Sequence, residues 1–400
     1  MTNQRSHYQD QLAATELVCA TIDKTPEDSF LMQVKESIKL IAKRTLFLVH
    51  FYQPTWIKRC LRECGAEFVE ADSQELAVRG LESRLPVLFC VTVPFMAGSS
   101  AILARADQQV LVADPNASCS LEDSAPEDLV VDMFSRLHVL GIPFLPVCYT
   151  NVGAVTKSVV GEQGGIICTS SNAVDAVKWV LNQGKKPVFV PDRHLGKNVA
   201  CELKIDQFVF WDFKKVDGGV SDDDLLKAQM VIWTGQCNVH VKINAASIAN
   251  FAKQYPKAHL ILHPEVPNEE IRVAIETVGR EHVGVGSTRF IVKRLEELSL
   301  EEPRVTVGIA TESNFVKELS DAYAGRLKVV NALQEVCACA HMRTRPASFL
   351  SALEVVKKGN VVGSKHHVVL ERKTKEAAQL ALERSLNLKN RPFSLDWVRI

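Results

Sequence analysis

The chain lacks an excess of charge of either sign: Lys+Arg and Asp+Glu both number 47, for a formal net charge of zero. It has no polybasic tract, so neither nucleic acid nor an anionic membrane surface is an expected partner. No run of about 18 apolar residues occurs, which excludes a helical membrane span. The opening MTNQRSHYQDQ has no apolar stretch and no arginine bias, so no targeting segment is read there and a cytoplasmic location is expected. A disulfide framework is also missing. The eleven cysteines are an odd number in a large chain. Five of them (Cys19, Cys60, Cys90, Cys148 and Cys201) sit among apolar neighbours, as buried thiols do in a reducing compartment. Metal or catalytic use of a subset remains open.

Apolar residues make up 46% and charged residues 24% of the 400, an ordinary globular composition with enough chain for two or three cores. Residues 1–43 read as a leader, helical over 9–22 and 29–41, without recognisable chemistry. From Arg44 short apolar runs alternate with helical patterns: TLFLVH, then a helix over 54–63, a strand over 67–70, a helix over 74–83, the strand PVLFCVTV, a helix over 95–106 and the strand QVLVAD. This alternation predicts a parallel sheet covered by helices. It recurs twice, opening at IPFLPVCYTN and at HLILHPEVP. In each unit a polar residue at the first strand's end is followed, at similar separation, by a serine at a strand-to-helix turn: His50 and Ser73, Tyr149 and Ser170, His263 and Ser287. A cysteine closes each unit: Cys119, Cys237, and Cys337 or Cys339. The expected fold is α/β, with three similar three-layer αβα lobes (44–137, 138–241, 242–344) holding short parallel sheets in a pseudo-three-fold triangle. Residues 214–229 read as a surface insertion. The tail, 345–400, is expected to carry a helix over 347–357 and an exposed helix over 371–386, packed back on the lobes.

A thiol just past a strand end lies where open α/β sheets place their chemistry. Three such thiols, one per lobe, can hold one metal centre, and soft sulfur suits an iron–sulfur cluster. With three protein ligands, one iron of a four-iron cluster stays open to act as a Lewis acid. The turns bearing Ser73, Ser170 and Ser287-Thr288 are ordinary helix caps one by one. Three helix N-termini converging on one centre would form an anion site. His50, Tyr52, Tyr149, Asn151, His263 and Glu265 stand at first-strand ends, facing the expected crevice. His263 and Glu265, two apart in extended chain, can project together and share proton transfers. His194 is a secondary candidate with Asp192 and Arg193. The other histidines, His240 among them, show no coherent metal spacing, and His366-His367 reads as solvated.

Twelve stretches in order resemble the quinolinate synthase family (type A, the [4Fe–4S] quinolinate synthetases): VHFYQ, ADS, VPFMA, SCSLEDSAP, YTN, CTSSNA, PDRHLG, GQCNVH, HPE, VGST, TES and CACAHM, within residues 45–390. The resemblance implies three α/β lobes around one [4Fe–4S] cluster. It also implies condensation of iminoaspartate with dihydroxyacetone phosphate to quinolinate, with loss of water and phosphate, in NAD biosynthesis. By motif, the cluster ligands are Cys119, Cys237 and Cys339, the last chosen over Cys337 because the family's third ligand stands three residues before a methionine, here Met342. Substrate contacts fall on His50, Ser73, Tyr149, Asn151, Ser170, His263, Glu265 and Thr288, and the catalytic group on Glu265, Tyr52 and His263. L-aspartate oxidase and cluster-assembly proteins are the transient partners this implies. An iron–sulfur hydro-lyase on another carboxylic acid, or a non-catalytic cluster-bearing sensor, would share the same centre.

Overall fold

The computed structural model describes residues 19–20, 25–333 and 338–398. Its frame is three parallel sheets, and each begins with a strand buried along nearly its whole length: β2 (Thr45–His50), β6 (Phe144–Tyr149) and β11 (His259–Leu262). Strands covered on both faces carry continuous apolar runs rather than alternation, which is why TLFLVH and HLIL read as they do.

The first sheet runs β3 (Phe68–Ala71), β2, β4 (Val87–Val91), β5 (Gln109–Val112). The third runs β12 (Val283–Val285), β11, β13 (Thr306–Ala310), β14 (Lys328–Asn331). Both therefore have the order second, first, third, fourth, with every pairing parallel. The middle sheet keeps this order through β7 (Ile166–Cys168), β6 and β8 (Lys186–Val190). It then places β10 (Met230–Trp233) beside β8 and pushes β9 (Phe208–Trp211) to the edge. The strand before Cys237 thus occupies the place that β5 and β14 hold in the other lobes. The insertion after β9 is a short 3₁₀ turn, Val216–Gly219, and a helix, Asp222–Lys227. Parallel strands bring all their carboxyl ends to one edge of a sheet, and the loops of that edge carry the polar residues of each unit.

Three expectations change. Of the helix expected over 9–22, only Cys19 and Ala20 lie within the described residues; they form an extended pair, β1 (Cys19–Ala20), antiparallel to β15 (Ala338–Cys339). His366 is buried, not solvated: it bonds the Val112 carbonyl through Nδ1 and Ser351 Oγ through Nε2, each at 3.0 Å. The last helix, Arg372–Leu386, is not simply exposed, since Ala378, Ala381, Leu382 and Ser385 are buried. It crosses helix Ala154–Glu162 so closely that a Cβ on Gly161 would lie 1.9 Å from the Ala377 carbonyl oxygen. The helix expected over 29–41 is present as Asp28–Ile41, and the helix expected over 347–357 as Pro346–Lys357.

Candidate functional site

The first strands of lobes one and three end in the same local device. His50 Nδ1 accepts the backbone N–H of Tyr52 at 3.3 Å, and His263 Nδ1 accepts that of Glu265 at 3.4 Å. Each bond leaves Nε2 as the nitrogen that carries the proton. Burial, aided by Lys58 at His50 and by His240 at His263, lowers both imidazoles to about 3, so both are neutral at physiological pH. In lobe two the corresponding positions are Tyr149 and Asn151.

The second strands lead into helix starts that divide two tasks between adjacent residues. Asp72, not Ser73, caps helix Ser73–Glu82 by accepting the Glu75 N–H at 3.0 Å. Ser287 caps helix Thr288–Glu301 in the same way. The hydroxyls of Ser73 and Thr288 are thereby left to the cavity wall. In lobe two Asn172 Oδ1 takes the Thr169 N–H at 2.8 Å, and Ser170 stands on the same wall. Ser171 Oγ donates to Ser287 Oγ at 2.7 Å, joining lobes two and three beside these turns.

Glu265 is the centre of a buried polar chain. Its carboxylate accepts the Tyr149 hydroxyl at 2.5 Å and meets His240 Nδ1 at 2.8 Å. His240 Nε2 lies 2.9 Å from Thr311 Oγ1, which lies 3.3 Å from the Tyr52 hydroxyl. His240 and His263 stack at 4.5 Å between ring centroids. Burial alone would raise the acid, but the facing imidazoles and the Tyr149 hydroxyl outweigh it and bring Glu265 down to about 2. Burial pushes the Tyr52 and Tyr149 phenols well up, so both stay protonated. A buried network of this kind is stable only when each member has its partner.

The three thiols have a common setting. Cys119, Cys237 and Cys339 are raised first by burial, and the charge of Cys339 adds to the rise at both of the others. Cys339 stands at about 11. Each sulfur is also faced by backbone N–H groups: Leu121 and Glu122 at Cys119, His240 at Cys237, Met342 and His341 at Cys339. The Asn151 amide approaches Cys119 Sγ at 4.0 Å. Donors aimed at sulfur stabilise its anionic form, the form that binds metal. The donor set therefore fits a thiolate-held centre. Among the described residues, Cys237, His240 and Glu265 also place one ligand atom each within 4.8 Å of one another.

One cavity is lined by His50, Tyr52, Ser73, Cys119, Tyr149, Asn151, Ser170, Cys237, His263, Glu265 and Thr288. Cys339 does not line it. His194 does not line it either; from the PDRHLG stretch it is the buried Asp192 that feels this centre, its carboxyl raised by burial and then by the Glu265 charge. The sequence reading passed over His240, which joins Glu265 to Thr311. The available signal was its place three residues after Cys237, on the same turn. Met96, Met342 and Thr150, also on the wall, carry no signal of this kind.

A profile of the quinolinate synthetase A protein family matches residues 33–387. Among relatives, the quinolinate synthase of Corynebacterium glutamicum is 32% identical over 374 residues, 91% of this chain and 89% of that protein. The quinolinate synthase of Streptomyces coelicolor is 34% identical over 309 residues, 76% of this chain and 75% of its own. That of Acidobacterium capsulatum is 31% identical over 373 residues, 91% of this chain and 94% of its own.

Proposed function

The chain belongs to the quinolinate synthetase A family, and we propose that Cys119, Cys237 and Cys339 hold a [4Fe–4S] cluster beside which the cavity's side chains carry out the quinolinate synthase reaction. The observation that carries this reading is the convergence of strand ends and helix starts from all three lobes, with the thiols of Cys119 and Cys237, on one cavity. When bound, the cluster would supply an open iron as Lewis acid for substrate oxygen or nitrogen. The substrates, iminoaspartate and dihydroxyacetone phosphate, bring carboxylates and a phosphate. Three helix starts, with the hydroxyls of Ser73, Ser170 and Thr288, are suited to those anions. Neutral His50 and His263 present Nε2–H donors to the same ligand. Glu265, held ionised, is the base, and Tyr52, held protonated, is an acid. Thr311 and His240 connect the two, so a proton taken at one end can be returned at the other. An imine hydrolyses in water, so transient contact with L-aspartate oxidase belongs to this reading, as do cluster-assembly proteins and a cytoplasmic setting.

The test is anaerobic reconstitution with iron and sulfide counted per chain, followed by an assay for quinolinate from the two substrates. Four-iron stoichiometry with turnover is expected, and Cys119→Ser, Cys237→Ser and Cys339→Ser should each abolish both. Iron-free protein after reconstitution, with every cysteine reduced, would overturn the reading. The grouping of Cys237, His240 and Glu265 favours a second one, a single divalent cation at these three residues. One metal per chain, lost in His240→Ala but retained in Cys119→Ser, would establish that instead.

A further inference from the structure

Gln53 ends the VHFYQ stretch directly after Tyr52 and is fully buried, yet it stands off the cavity wall. Its carboxamide bonds at two points to the chain that follows Cys339. Nε2 donates to the Met342 carbonyl at 2.7 Å, and Oε1 accepts the Thr344 N–H at 3.0 Å. This is the paired donor and acceptor that a neighbouring strand would offer, supplied here by one side chain because β15 ends at Cys339. The same segment is tied to the Cys119 loop on its other side. The Ser118 N–H donates to the His341 carbonyl at 2.9 Å. Arg345 grips the buried Asp114 carboxylate with Nε and Nη2, both at 2.7 Å, and with its backbone N–H at 3.0 Å.

We propose that Gln53 is a positioning residue: it clamps the segment 339–345 of the third lobe to the first lobe, and so sets where the Cys339 thiol stands relative to Cys119 and Cys237. Asp114–Arg345 is the outer anchor of the same clamp. The clamp couples the third thiol to the strand end that carries His50 and Tyr52, because Gln53 is bonded through its own N–H to the His50 carbonyl at 3.0 Å. Only a carboxamide serves both partners. A glutamate has no donor for the Met342 carbonyl, and an alanine leaves two buried backbone groups unpaired.

The proposal rests on Cys339 being a cluster ligand, and its test separates the two ideas. Cluster-free protein is alkylated with N-ethylmaleimide, and the rates at Cys339 and at Cys90 are mapped by mass spectrometry. Cys90 is buried on β4 of the first lobe and reports global opening. Gln53→Ala is expected to react about tenfold faster at Cys339 with Cys90 unchanged, the pattern of a local opening. Gln53→Glu, which keeps one of the two bonds, should fall between. Once reconstituted, the variants should release iron to a chelator faster than the parent, with KM retained and kcat reduced. An unchanged Cys339 rate in Gln53→Ala overturns the proposal. Should that variant expose Cys90 as well, Arg345→Lys, which loosens the outer anchor, decides by the same comparison. A parent protein that takes up no iron while Gln53 still protects Cys339 counts against the cluster reading and in favour of the clamp.

Discussion

At the scale of single residues, the site depends on which groups are charged when buried. Glu265 remains ionised because Tyr149 and His240 donate to it. Glu265→Gln is the closest replacement in shape and removes only the base. It should leave metal content unchanged and lower kcat by about 10²–10⁴-fold, the usual worth of a positioned general base; turnover at the parent's rate in an anaerobic quinolinate assay would refute that role. His240→Ala leaves both Glu265 and Thr311 short of a partner. It should cost about 1–3 kcal/mol of stability in denaturant titration in addition to activity. His240 also shows why part of the site escaped the sequence. Its neighbours Glu265 and Thr311 are distant along the chain, and its nearness to Cys237 points to neither of them. Glu265 was legible because its own strand end was.

At the scale of elements, strand ends and helix starts were readable because they rest on local physics: apolar runs for strands, a polar residue before an apolar-periodic run for helices. Which residue of a turn caps and which faces the cavity was not readable. The notation Asp72-Ser73 permits either, and backbone geometry assigns the cap to Asp72. Asp72→Ala should therefore weaken helix Ser73–Glu82 by about 1 kcal/mol and displace the Ser73 hydroxyl, raising KM in steady-state kinetics. The last helix offers another test. Gly161 permits its close crossing with helix Ala154–Glu162. A larger residue there meets backbone, which cannot rotate away, so Gly161→Leu should destabilise by at least about 1–3 kcal/mol, read as a lower Tm. An unaltered Tm would mean that the two helices are not packed this tightly.

At the scale of the whole molecule, the lobes meet through buried charge. Lys58 in lobe one is completely buried and pairs with Glu70 of its own lobe and Glu318 of lobe three, while also donating to the Phe51 carbonyl at 3.0 Å. Burial raises Glu318 to about 7, with Lys58 opposing and Glu70 adding to the rise. The folded protein thus holds this proton more tightly than the unfolded chain. That contribution to stability is complete below the ordinary carboxyl pKa and is lost as pH rises through about 7. Glu318→Gln should remove this downward component, so that between about pH 5 and pH 7 its unfolding free energy falls less, or rises more, than the parent's, while the lowered His50 and His263 imidazoles contribute the opposite slope in both proteins. Glu122 and Glu312 also stand at about 7 and add downward components of their own in parent and variant alike. An identical slope in parent and variant would exclude Glu318 as a source.

The sequence by itself determined three α/β units, the order of their elements and the residues standing at strand ends and helix starts. These follow from hydrophobic period and turn chemistry within short windows of chain. Only the tertiary structure decided that β10 rather than β9 takes the inner place in the middle sheet, that His240 links Glu265 to Thr311, and that Gln53 secures the segment after Cys339. Each of these is a contact between residues far apart in the chain, selected by which buried donors and acceptors satisfy one another once the lobes have closed. No local pattern encodes such a choice.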